Sequence, residues 1–297
     1  MSCFISTQLQ QNLPKYAGVL KLQKGYEETF NSPGRYYICG GDRKARRKAV
    51  DDFNAILGDM SKKGLSPEEL RDIEERRLGL VGAHADVYKI RVQTSNQREC
   101  GENRLAVEAD HVPPRCVFQN ALKTLQDPEN VKLREDLKNK SPNLFALLDK
   151  NGDRGLCREV LKPHHEAGLT WRNRKESRII SEKLEETLIS GDGEKLVKMS
   201  LLAANPVTSN SLREDAGILP LNISNMSRDA TKRYHDAGDK LLVEGYYKKG
   251  VLNKEERHSI MGWLKSGNLY SKNTSEYKEM CRELRAKIQK HNNNSGR

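Results

Sequence analysis

The sequence predicts an α+β protein: a small core of strand, strand and helix embedded in a mostly helical chain. Three observations predict it. Apolar residues recur at helical spacing between capping signals along much of the chain. Only short stretches alternate as strands do, and charged residues reach 31% while apolar ones (Ala, Val, Ile, Leu, Met, Phe, Trp, Tyr, Cys) stop at 36%, the balance of a polar-surfaced, helix-rich chain. At 297 residues there is enough chain to bury a core without covalent staples.

Residues 1–34 mix Gln, Lys and Gly without a period and close on the turn Asn31-Ser32-Pro33-Gly34, so they read as a loosely ordered lead-in. Residues 35–100 read as a helical segment with one strand. Asp42 caps a helix that spaces Ala45, Ala49, Phe53, Ile56 and Leu57 on one face and carries Arg43, Lys44, Arg46, Arg47 and Lys48 on the other. Those cations suit a nucleic-acid backbone, a nuclear address or a solvated face. Ser66-Pro67-Glu68-Glu69 opens a second helix running to Leu78, and Val87 to Gln93 alternates as a strand.

Residues 101–191 form the predicted core. A strand over Arg104 to Ala109 leads into Asp110-His111-Val112-Pro113-Pro114, and short helices follow, broken or restarted at Asp127-Pro128 and Ser141-Pro142. Glu159-Val160-Leu161 is a second short strand, directly before Pro163-His164-His165, and a helix runs from Ser177 to Ser190, ended by Gly191. Residues 192–290 are helical: Glu194 to Ala204, ending before Pro206, then helices starting near Ser227, at Asn253 with Glu256, and at Asn273 with Glu276. Gly250 and Gly267 end the first two of these three. Residues 291–297 read as a disordered tail.

Lys plus Arg number 52 against 41 Asp plus Glu, a formal charge of +11, which favours a polyanionic partner, nucleic acid first, over a neutral one. No apolar run approaches the roughly 20 residues that cross a bilayer, and Met1 to Gln11 lacks a signal-peptide pattern. The expectation is an intracellular protein, cytoplasmic or nuclear, without a membrane partner. The six cysteines never fall in a C-x-x-C pair, so a zinc finger is not indicated and reduced thiols are expected.

Two places concentrate chemistry. Asp110 offers a hard oxygen ligand for a divalent ion, and His111 an imidazole able to take a proton from water near neutral pH. Neighbouring side chains on a strand point to opposite faces, but a turn at the strand end, held by Pro113 and Pro114, can aim both at one cleft. At the second place, Lys162-Pro163-His164-His165-Glu166, one imidazole can complete a metal site while the other faces solvent or phosphate. Arg172, Arg174, Lys175 and Arg178 follow at once, placed to bind a phosphodiester backbone.

This order of strand, Asp110-His111 with prolines, long connection, strand, and helix opening on His164-His165 resembles the HNH superfamily of metal-dependent nucleases. Within it, the variants of polymorphic toxins and related eukaryotic proteins are most similar. The resemblance spans residues 104–180, about a quarter of the chain. It implies a ββα-metal fold and one divalent ion (Mg, Mn or Zn) held by Asp110 and by His165, or else His164. It also implies His111 as the general base of an endonuclease acting on DNA or RNA. The positions four residues on from the two histidines are Gly168 and Leu169, which cannot ligate, leaving Glu166 or His235 to complete the sphere; Asn143 and Asn151 both suit the base-orienting Asn. The alternatives are a catalytically inactive HNH-like module that binds nucleic acid or protein, and a purely helical scaffold.

Overall fold

The computed structural model describes residues 81–83, 107–152, 154–171, 174–221, 223 and 228–295. The predicted lead-in, the helices after Asp42 and Ser66 and the strand at 87–93 lie outside these residues. The described part is mostly helical around a small antiparallel sheet, an α+β arrangement as expected.

Strand β1 is Val81–Ala83, β2 is Val107–His111 and β3 is Leu156–Leu161. The sheet order is β1-β3-β2 with both pairings antiparallel, so β3 is the central strand. Its Leu156, Cys157 and Val160 are buried, and pairing with β1 and β2 carries it three residues upstream of the Glu159-Val160-Leu161 stretch that marks it in the sequence. Strand β2 ends two residues later than the apolar pattern predicts: its ladder pairs Asp110 with Arg158 and His111 with Cys157. Val112 still donates to the Leu156 carbonyl at 3.0 Å, and the two prolines, which have no amide hydrogen to offer, stop the pairing there.

Helix α1 (Arg115–Gln126) buries Val117, Phe118, Ala121 and Leu125. Asp127 then caps the 3₁₀ turn Pro128–Asn130, and α2 (Val131–Lys140) and α3 (Pro142–Phe145) complete the connection to β3. The breaks fall at the two predicted prolines. Helix α4 (Lys162–Ala167) follows β3 without a loop, so β2, β3 and α4 make an antiparallel pair followed directly by a helix.

Helix α5 (Lys175–Ile189) packs against α1. It stops at Gly191, whose φ of +72° only glycine adopts cheaply. Helix α6 (Gly193–Ala204) ends at Asn205, but Pro206 opens another helix, α7 (Pro206–Asp215), where the sequence reading places only a stop. Asn205 accepts bonds from the amides of Val207 and Thr208, and proline at the first helical position has no amide that needs a partner.

Helix α8 (Arg228–Lys248) ends at Gly250, again at positive φ. Helix α9 (Lys254–Lys265) has the predicted capping box, with Asn253 and Glu256 bonding each other's amides at 2.9 and 2.7 Å. Helix α10 spans Ser275–Ser295, so it continues into the expected tail. Its first-turn amide of Tyr277 is taken by the Thr274 hydroxyl, one residue after the expected Asn273 cap. The core joins Ile180, Leu184 and Leu188 of α5 to Leu196, Leu201 and Leu202 of α6 and Met280 and Leu284 of α10. Tyr246 of α8 reaches into the sheet, its hydroxyl donating to the Val112 carbonyl and accepting from Leu156 N. That contact fixes α8 beside the end of β2.

Candidate active site

Residues two apart on a strand share a face, so Glu108 and Asp110 of β2 point to the same side. Helix α4 brings His165 between them. Its Nδ1 lies 2.9 Å from Glu108 Oε2, and its Nε2 lies 3.3 Å from Asp110 Oδ1. Trp171 packs edge-on against the imidazole with ring centres 4.4 Å apart, limiting its rotation. Burial opposes a charge on His165, but Asp110 and Glu108 outweigh it and raise the pKa to about 9.

Arg158 stands opposite Asp110 in the ladder and is almost completely buried. Its Nε is 3.5 Å from Asp110 Oδ2, one terminal nitrogen donates to Asp239 of α8, and the other donates to the Ala204 carbonyl at 3.0 Å. One guanidinium therefore ties the sheet to α8 and to the end of α6. Asp239 lies one helical turn after His235, and both face this buried side.

His164, the alternative metal ligand, does not face solvent or phosphate as expected of the second imidazole. It is buried, and its Nδ1 lies 3.2 Å from Nε2 of His235. Burial, with the charge of Arg158, lowers its pKa to about 4; burial, Arg158 and His164 push His235 well below the usual imidazole range. Two neutral rings sharing one proton suit such a place, whereas two charged ones would repel each other and Arg158.

The expected turn that would aim Asp110 and His111 together is replaced by continued strand, so alternation puts His111 on the Cys157 side at the very end of β2. Among the expected phosphate-binding residues, Arg174 is half-buried and gives one bond to the Glu166 carbonyl at 2.8 Å, fastening the loop after α4. Lys175 and Arg178 sit in the first turn of α5, Arg178 exposed; Arg172 lies outside the described residues. Asn143 donates to the Gly250 carbonyl at 3.0 Å, and so serves the α3–α8 junction rather than the His111 side.

Among the described residues no three His, Cys, Asp or Glu side chains form a metal cage. Two donors nevertheless fit one ion. Ligands about 2.1 Å from a common ion stand about 3.0 Å apart in octahedral and about 3.4 Å apart in tetrahedral geometry. The 3.3 Å between Asp110 Oδ1 and His165 Nε2 falls inside that range. Glu108 on the other ring nitrogen is the carboxylate partner that metal-bound histidines usually have. Asp110 Oδ2 is buried and has no hydrogen-bond partner among the described residues.

Glu108, Arg158 and Asp239 were not among the predicted site residues. Glu108 had a signal, its two-residue spacing from Asp110; Arg158 and Asp239 meet only in the fold. Comparison with known proteins returns no matching family model, no matching curated protein and no matching solved structure.

Proposed function

We propose that this chain is a metal-dependent endonuclease of the HNH-like kind, hydrolysing phosphodiester bonds in DNA or RNA. The observation that carries this reading is the approach of Asp110 to His165 Nε2, with Glu108 on Nδ1, across a strand pair and the helix that directly follows it. Asp110 and His165 would hold one divalent ion (Mg, Mn or Zn), which when bound neutralises charge on the phosphate and the leaving oxygen.

The remaining roles belong to the chain itself. Glu108 orients the imidazole and holds a proton at Nδ1, leaving Nε2 as the donor. Arg158 holds Asp110 in place. His111 as general base is the expected role that alternation along β2 does not support, since it turns that side chain away from Asp110 and His165. Lys175 and Arg178, in the first turn of α5, suit binding of the nucleic-acid backbone.

A specific observation also favours the second reading, an inactive module of the same fold that binds nucleic acid or protein. A protonated His165 between two carboxylates closes the site without an ion. Cleavage separates the two. Purified chain is incubated with supercoiled plasmid and with structured RNA, in Mg, Mn or Zn and in EDTA. Metal-dependent cleavage that EDTA abolishes is expected; no cleavage of either substrate with any of the ions leaves the module reading.

A further inference from the structure

Helix α10 sorts its charges by face. Its carboxylates, Glu276, Glu279 and Glu283, are half-buried and engaged: Glu276 with Lys198 at 3.7 Å, Glu279 with Lys183 and Lys195 at 3.0 and 2.8 Å, Glu283 with Lys287 at 3.0 Å. Tyr277, Met280, Cys281 and Leu284 fill its core face. The residues exposed between Ser275 and Lys290 include Lys278, Arg282, Arg285 and Lys290, and no carboxylate. Helices α5 and α2 mix both signs, the exposed charges of α5 being Arg178, Glu182 and Glu186. Helix α1, which has no carboxylate to sort, exposes Arg115 and Lys123, and the described part of α8 exposes Lys240 and Lys248, so α10 stands out by setting three cations in one stripe with three carboxylates turned away.

At 3.6 residues per turn Lys278, Arg282 and Arg285 fall in a stripe about 60° wide and about 10 Å long, the length of about three phosphates along one strand of a duplex. Arg285 is steadied by a bond from its Nε to the Asp215 carbonyl. Asp215 is bonded to Lys272 and the Tyr277 hydroxyl, each at 2.7 Å, and its charge also acts on Arg285, so it offsets part of that one cation while Lys272 adds another next to Asp215.

We propose that this solvent face of α10 binds the sugar-phosphate backbone of nucleic acid, as a second surface besides the start of α5. The choice of partner rests on the nucleic-acid reading above; the charge segregation stands without it. A solvated helix face needs no such sorting, whereas a backbone contact needs cations outward and carboxylates turned away.

The test uses the full chain in EDTA, with fluorescent duplex DNA and duplex RNA of equal length, across a salt series. The variant K278Q/R282Q/R285Q should bind at least about tenfold more weakly near 0.1 M salt, and the log K against log salt slope should shrink by about 2 to 3 on DNA, about 0.9 per lost contact. A control, K132Q/K138Q/K254Q, removes equal charge from other exposed positions and should keep the slope within about one of wild type. Whichever duplex loses more affinity identifies the backbone form this face prefers. Unchanged binding in the α10 variant, an equal loss in the control, no binding by the wild type, or equal displacement by polyglutamate would overturn the proposal. Because no metal is present, this result and the cleavage result can fail separately.

Discussion

Replacing Asp239 with alanine tests the buried link between α8 and the sheet. Asp239 is 0% and Arg158 1% exposed, so the substitution strands a guanidinium in the interior. Removing one partner of a buried pair costs about 3–5 kcal/mol. The lower end applies here, since Arg158 keeps the Ala204 carbonyl at 3.0 Å and the more distant Asp110 at 3.5 Å. About 3 kcal/mol is a little over a hundredfold in the folding equilibrium, and about 6–12 °C in melting temperature for a folded unit of this size. Urea unfolding followed by circular dichroism should show a lower midpoint with an unchanged m value. Asp239→Asn, which keeps the shape and one acceptor, should lose less. A loss below about 1 kcal/mol for the alanine variant would refute the reasoning, because the charge of Arg158 would then be balanced elsewhere.

Because His111 lies on the face of β2 away from Asp110, His111→Ala should leave metal-dependent cleavage within about tenfold of wild type, with duplex affinity unchanged in a gel-shift assay; a loss of about 10² to 10⁴-fold, the range for losing a general base, would return His111 to the chemistry. In EDTA, stability should peak near pH 6.5. It falls toward acid because His164, with a folded pKa of about 4, and His235 must take up protons in buried places. It falls toward alkali because His165, with a folded pKa of about 9, gives up the proton that its carboxylates favour. His165→Asn should remove the alkaline arm and leave the acid arm, and urea midpoints across the range would contradict this if the wild-type profile were flat. Gly152→Ala should cost about 2 kcal/mol or more in the same assay. The reason is a φ of +68° combined with a new Cβ that would sit 2.6 Å from the Arg115 carbonyl oxygen. An alanine variant as stable as wild type would show that this turn relaxes freely.

Local signals were the legible part of the fold. The Asn253 and Glu256 box and the glycines at 191, 250 and 267 are decided by amides and carbonyls within a few residues of each other, so their residue types announce them. Helix α7 was hidden because Pro206 ends one helix and opens the next, and a proline after a polar residue reads either way. Asp110 and His111 looked like a turn because they are polar, yet pairing with β3 keeps them extended, and that pairing is not local.

The site divides in the same manner. Asp110 and His165 could be named from the sequence because each sits beside a strand-ending or helix-opening signal. The partners that decide their state come from elsewhere: Asp239 lies 81 residues from Arg158, and His235 lies 71 residues from His164. Such pairs leave no periodic mark, so the sequence offers His164 as a second ligand or as an imidazole facing solvent or phosphate, and the fold buries it against His235.

The most direct test of the central claim is ion binding at the Asp110 and His165 pair, read from thermal melts. Mg, Mn or Zn at 100 times its dissociation constant should stabilise the wild type by about 2.7 kcal/mol through mass action. His165→Ala should abolish that shift, and Glu108→Gln, which weakens the hold on Nδ1, should raise the dissociation constant by about 10 to 100-fold. A wild-type melt that stays unmoved by all three ions at millimolar concentration, or a shift that survives in His165→Ala, would contradict the account.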